Sequence, residues 1–81
     1  MKLTADQRRA LAVIASAGPR GITEGRLVEV HAVAIEVLVE LVRRRYATAE
    51  TETARTGNLI TNTVRLHITN AGRGALASEP R

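Results

Sequence analysis

Cysteine is absent from the 81-residue chain, and so are tryptophan and phenylalanine. Without thiols there are no disulfides, no thiolate metal ligands and no cysteine nucleophile. Tyr46 is the lone aromatic side chain, which leaves no platform for stacking unpaired bases and argues against a reader of single strands or RNA loops. Long apolar runs are missing too. The most apolar stretch, Val28 to Val42, carries Glu29, His31, Glu36 and Glu40, so no membrane span is expected. The two histidines, His31 and His67, stand far apart with no acidic pair beside them, so no metal site is expected. Asp6, the only aspartate, belongs to a helix first turn. Ser16 and Ser78 have no base near them in sequence, and Gly72-Arg73-Gly74 lacks the lysine and hydroxyl of a nucleotide cradle. A concave pocket is hard to build in so short a chain. The expectation is a protein that is not an enzyme, with no cofactor and no small-molecule substrate.

What the chain does contain is ordinary for one globular domain, taken here as residues 1–81 with a core at about 4–77 and a short tail from Ser78: 44% apolar and 25% charged residues. The start, Met1 to Gln7, runs into a capped helix signal and lacks the apolar core of a secretion signal, so a cytoplasmic location is expected. Net charge is +4, and eleven of the twelve basic residues are arginine, Lys2 being the other. A guanidinium reads phosphate as a planar fork, so this richness fits nucleic-acid binding. It fits equally a genome of high G+C content, in which Ala and Arg rise together.

The hydropathy pattern predicts the elements in order. Thr4 caps a first helix and Gln7 closes a capping box. Leu3, Leu11, Ile14 and Ala15 form its apolar stripe, with Arg8 and Arg9 toward the polar side, and Gly18-Pro19 ends it near Ala17. Arg20-Gly21-Ile22 is long enough to pair as one or two residues at a sheet edge. Thr23 caps a short second helix to about Val30, which offers Leu27, Val28 and Val30 to a core. After a turn at His31-Ala32-Val33, a third helix extends to about Arg44 with Ala34, Leu38, Leu41 and Val42 on one face. The period then changes from 3.6 to 2. Tyr46 to Thr53 reads as a strand, Ala54 to Asn58 as a turn, and Ile60, Val64, Leu66 and Ile68 as the buried face of a second strand, with Asn62 marking its exposed outer part. Thr69 caps a final helix, Asn70 to about Ala77. A hairpin packed beside a three-helix cluster buries this set most simply, so the expected class is α+β.

Three strings in this order resemble a winged helix-turn-helix domain. Gly21-Ile22-Thr23-Glu24-Gly25-Arg26-Leu27 resembles the start of the helix-turn-helix. Leu38 to Ala47 resembles the end of a recognition helix and the step into the wing. Ile68-Thr69-Asn70-Ala71-Gly72-Arg73 resembles the segment that follows the wing in bacterial regulators of the MarR and PadR kind. The resemblance implies a three-helix core with a two-stranded β-hairpin wing and a short C-terminal helix, in a bacterial or phage transcriptional regulator or an architectural or excision factor that binds duplex DNA. Those regulators dimerise through long additional helices. This chain has none, so their ligand pocket and their dimer are not expected here.

The residues carry two functional expectations. For duplex DNA the candidates are Arg20, Thr23, Arg26, His31, Arg43, Arg55, Thr56, Asn58 and Arg65. Beside these stand plainer roles: Thr23 as a helix cap, Arg43 to Arg45 as complements to a helix dipole, Arg55 as a solvated turn residue, and Arg65 as the cross-strand partner of Glu50 or Glu52. For a protein partner or a second copy, the candidates are Val33, Ile35, Glu36, Val39 and Glu40 on the outer side of the third helix. Base edges are commonly read by Arg, Lys, Asn and Gln, and this helix presents carboxylates and aliphatic groups instead. Net charge by segment agrees: +2 over residues 1–31, −1 over 32–54 and +3 over 55–81.

Overall fold

The computed structural model describes residues 3–78, so the expected tail beyond Ser78 lies outside the described residues. In chain order the elements are α1 (Ala5–Ser16), a 3-10 turn (Gly18–Arg20), β1 (Ile22–Thr23), α2 (Glu24–Glu29), α3 (Ile35–Arg43), β2 (Ala47–Thr56), β3 (Leu59–Ile68) and α4 (Asn70–Ser78). The fold is α+β, with four α-helices and one three-stranded antiparallel sheet among the described residues, ordered β1-β3-β2. That layout is compatible with a winged helix.

Local chemistry sets the helix boundaries. At the start of α1 the Gln7 N–H donates to Thr4 Oγ1 at 3.1 Å, and the Thr4 N–H donates to Gln7 Oε1 at 3.0 Å, the reciprocal capping box. Thr23 Oγ1 accepts from the Arg26 N–H at 3.2 Å and opens α2. The turn from α2 to α3 is made without glycine: Ala32 takes φ +55°, and the Val33 N–H reaches back to the Leu27 carbonyl at 3.0 Å. Arg9 of α1 holds this turn, donating to the carbonyls of His31 at 2.5 Å and Ala32 at 3.4 Å. α3 ends in a paired closure in which the Arg45 N–H meets the Val42 carbonyl and the Tyr46 N–H meets the Leu41 carbonyl, at 3.0 and 2.9 Å. Arg45 sits at φ +65°, where glycine is commonest in this motif.

The core is aliphatic. Leu11, Ile14, Leu27, Val33 and Leu41 are its most completely buried large side chains, joined by Leu3, Ala10, Ile22, Leu38, Ala47 and Leu66. β2 and β3 pair in register from Ala47↔Ile68 to Thr56↔Leu59. The chain reverses at Gly57-Asn58, with Gly57 at φ +61°, the sign that a glycine in the first position of a tight hairpin turn supplies.

Six expectations are corrected. The expected two-stranded wing is part of a three-stranded sheet, because β1 pairs with β3 (Ile22↔Leu66, Thr23↔Arg65). Gly21 permits this approach: it lies at φ +71°, and any Cβ there would strike the Leu66 carbonyl. Ala54, Arg55 and Thr56 are strand rather than turn, since pairing continues to Thr56. Val33, expected on the outer surface, is 2% exposed, because the turn directs it inward. Val30 and Ala34, expected in the core, are exposed: Val30 (64%) continues the turn of α2, its N–H donating to the Arg26 carbonyl at 2.9 Å, on a side of that helix the core does not cover, and Ala34 is the extended N-cap of α3, outside that helix's phase. Ile60 is exposed because β3 runs past the end of the core before it reaches the turn.

α4 is fastened to the end of α3. Thr69 Oγ1 donates to the Arg45 carbonyl at 2.6 Å and accepts from the Gly72 N–H at 3.0 Å. Gly72 is buried, and a Cβ there would strike the Tyr46 carbonyl, whereas a Cβ on Gly74 would meet open space. Gly72→Ala is expected to destabilise the domain by roughly 1–3 kcal/mol through overpacking. Gly74→Ala is expected to stabilise it by about 0.5–1 kcal/mol through helix propensity. Denaturant melts of the two variants beside the parent read both signs.

Candidate functional site

Two surfaces gather the residues singled out in the sequence. The first is an open groove of about 490 Å³ where α1, β1 and α2 meet. Arg20, Thr23, Arg26, His31 and Arg65 line it together, over apolar ground from Val13 and Ile22. They come from five parts of the fold, four within residues 20–31 and one far along the chain: the 3-10 turn supplies Arg20, β1 Thr23, α2 Arg26, the α2–α3 turn His31, and β3 Arg65. The side chains of Arg20 and Arg26 are exposed and have no ion-pair partner among the described residues. Arg65 is engaged: its Nε donates to Glu52 Oε1 at 2.8 Å and its Nη1 to the Arg20 carbonyl at 3.4 Å. Cross-strand pairing therefore occupies Arg65, and the Thr23 hydroxyl oxygen accepts the capping bond of α2 while its O–H is left to donate.

The second surface is the solvent side of α3. Ile35 (49% exposed) and Val39 (59%) stand there one turn apart, with Glu36 between them and no ion-pair partner for Glu36 among the described residues. Glu40 is different. Its Oε2 accepts from Arg44 Nε at 2.5 Å, and its Oε1 lies 3.7 Å from Arg43 Nη1. The hydrogen bond from Arg44 holds the Glu40 carboxyl below the ordinary glutamate range, against a smaller opposing effect of desolvation and with help from the charges of Arg44 and Arg43. Of the two carboxylates on this side of α3, Glu40 is thus paired within its own helix, and Glu36 has no ion-pair partner among the described residues.

Arg43, Arg55, Thr56 and Asn58 do not join the groove. Arg43 is exposed at the end of α3, and the other three stand at the hairpin tip. On the ribbon Glu52 pairs with Arg65, while His67 Nε2 lies 3.3 Å from Glu50 Oε1 without a hydrogen bond between them.

Sequence reasoning missed two features. The clamp from Arg9 to the turn carbonyls joins residues 22 and 23 positions apart, and only the packing of α1 on the turn reveals it. The exposed Leu59, one residue past the turn, had a local signal in the Gly57-Asn58 pair that fixes where β3 begins.

No helix among the described residues is long and apolar enough to cross a membrane. Comparison with known protein families, with curated proteins and with solved structures found no match for this chain.

A carboxyl titration followed by NMR is expected to place the Glu40 midpoint below that of an ordinary glutamate. Arg44→Ala should return it toward the ordinary range. Because the folded value is depressed, the contribution of this pair to stability is present above the unfolded-state pKa and disappears as pH falls through the folded one. The stability difference between Arg44→Ala and the parent should accordingly shrink on acidification.

Proposed function

We propose that this protein is a small winged-helix module, without catalytic activity, that binds duplex DNA mainly through phosphate contacts, as a transcriptional regulator or an architectural factor. The groove carries this reading: Arg20, Arg26 and His31, with the Thr23 hydroxyl, converge on a surface open enough for a phosphodiester strand and too open to enclose a small molecule. Half or more of protein–DNA hydrogen bonds go to phosphate and sugar, and such contacts position a protein without reading sequence. Exposed Arg43 and Arg55 extend the positive surface along α3 and the hairpin. Paired Glu40 removes one obstacle to an approach by α3, and the aliphatic character of that helix leaves base readout limited.

The test is a mobility-shift titration on random duplex DNA across salt concentrations. Affinity is expected to fall steeply as salt rises, with a log–log slope of about −0.9 per phosphate contact. Arg20→Ala combined with Arg26→Ala should weaken binding and reduce the slope by about two units. Both side chains are exposed, so the melting temperature should be unchanged. Binding indifferent to salt and to this double variant would overturn the reading.

A second reading has its own observation, the exposure of Ile35 and Val39 on α3. In that reading the module holds a protein partner or a second copy through α3 and reads no DNA. Val33 is buried and takes no part, and Glu40 is already paired. For self-association the prediction is a dimer by sedimentation that Val39→Glu converts to a folded monomer. A parent chain already monomeric removes it.

A further inference from the structure

The outer half of the β2–β3 hairpin differs from the rest of the molecule. Ten paired residues per strand, at about 3.3 Å each, make a ribbon of roughly 33 Å. Its base, around Ala47 and Leu66, is in the core, while β2 is exposed from Thr48 outward and β3 from Leu59 to Asn62. The molecule measures 50 × 22 × 20 Å in consequence. At the far end Leu59 (66% exposed) and Ile60 (56%) project into solvent. The register sets Ile60 opposite Arg55 and Leu59 opposite Thr56, so each apolar side chain lies on its own face of the ribbon beside a hydrogen-bond donor. No aspartate or glutamate occurs between residues 53 and 78, and the two ribbon acids, nearer the core, face Arg65 and His67. The tip therefore carries two exposed aliphatic side chains and the positive charge of Arg55, with no carboxylate nearer than Glu52 along the strand pair.

We propose that Leu59 and Ile60 form an apolar wedge that enters duplex DNA from the minor groove and parts one base step, kinking the helix. The proposal rests on the DNA reading above and adds to it a bent product. Three observations support a nucleic-acid occupant. The acid-free tip complements a polyanion in charge. Arg55 stands directly across the ribbon from Ile60, within reach of a flanking phosphate once that side chain is inserted. The tip also projects from the core, where an inserting element has room to act. Aliphatic side chains between base steps are a common means of kinking DNA toward the major groove, at an unstacking cost of about a few kcal/mol per step. Flexible pyrimidine–purine steps lower that cost.

The experiment uses the whole chain and a duplex with a central TA step, labelled with 2-aminopurine at the step and with a donor–acceptor pair at its ends. Binding is expected to raise 2-aminopurine emission and shorten the end-to-end distance. Leu59→Ser with Ile60→Ser should keep the fold, because both side chains are exposed, and should keep the salt dependence set by the groove. It should lose the emission gain and the shortening. Arg20→Ala with Arg26→Ala should instead lower affinity while the duplex that remains bound stays bent. A duplex bound without unstacking or shortening overturns the wedge and leaves the DNA reading standing; no binding even at low salt overturns both. Two further outcomes overturn the wedge: co-sedimentation with phosphatidylserine-containing vesicles that the Leu59/Ile60 variant abolishes, which marks a lipid-facing tip, and a dimer that the same variant makes monomeric, which marks an interface between copies.

Discussion

Leu11, Ile14, Leu27, Val33 and Leu41 are almost wholly removed from water, and the geometry of the molecule follows from keeping them so. One or two of them come from each of α1, α2, the α2–α3 turn and α3. Each such side chain contributes on the order of 1.5–3 kcal/mol by burial, in a chain whose one aromatic residue, Tyr46, is only partly buried against them. Val33 matters most to the geometry. It lies between two helices in a segment with no glycine, and drawing it inward places Ala32 at φ +55°. The Arg9 guanidinium then satisfies the carbonyls that this turn leaves free. The relative placement of α2 and α3 is thus held by one buried valine and one arginine reaching over from α1.

The surface is what this core leaves outside. With Leu38 and Leu41 inward, Ile35, Glu36, Val39 and Arg43 face solvent. With Leu66 pinned between β1 and β2, the sheet brings Arg65 beside the 3-10 turn and completes the groove. Charge is arranged by the same economy. Glu52 on β2 meets Arg65 on β3, and Glu40 meets Arg43 and Arg44 on its own helix, while Arg20 and Arg26 in the groove, Arg55 near the hairpin tip, Arg45 after α3 and Arg73 on α4 stay exposed without an ion-pair partner among the described residues.

Much of the framework was legible because its determinants are local. The Thr4–Gln7 box, the cap at Thr23, the change of period after Arg45 and the cap at Thr69 each involve groups within a few residues of one another. The pairing of Arg65 with Glu52 was among the expected alternatives because strand register follows from alternation. The errors share a different origin. Val33 turns inward and Ala34 leaves the core because the turn after α2 resets helical phase and periodicity cannot be carried across it, whereas Val30, still helical at the end of α2, lies on a side of that helix the core does not cover. Ile60 reads as core by alternation, yet alternation says which face a residue takes and not where the core stops. The convergence of Arg20, Arg26 and His31 was likewise invisible, since it depends on how α1, β1 and α2 meet.

By itself, then, the chain's residue order determined the sequence of helices and strands and the caps that open the helices, though not how far β2 extends, and that the whole is an α+β assembly of helices with a hairpin. Those outcomes depend on hydrogen bonds and side-chain spacing over short separations. Only tertiary packing decided that Gly21 would let β1 complete the sheet, that the hairpin would outrun the core, and that Arg65 of β3 would join residues 20–31 in one groove. Contacts between remote residues are selected by the shape and volume of the shared interior, which no local pattern encodes.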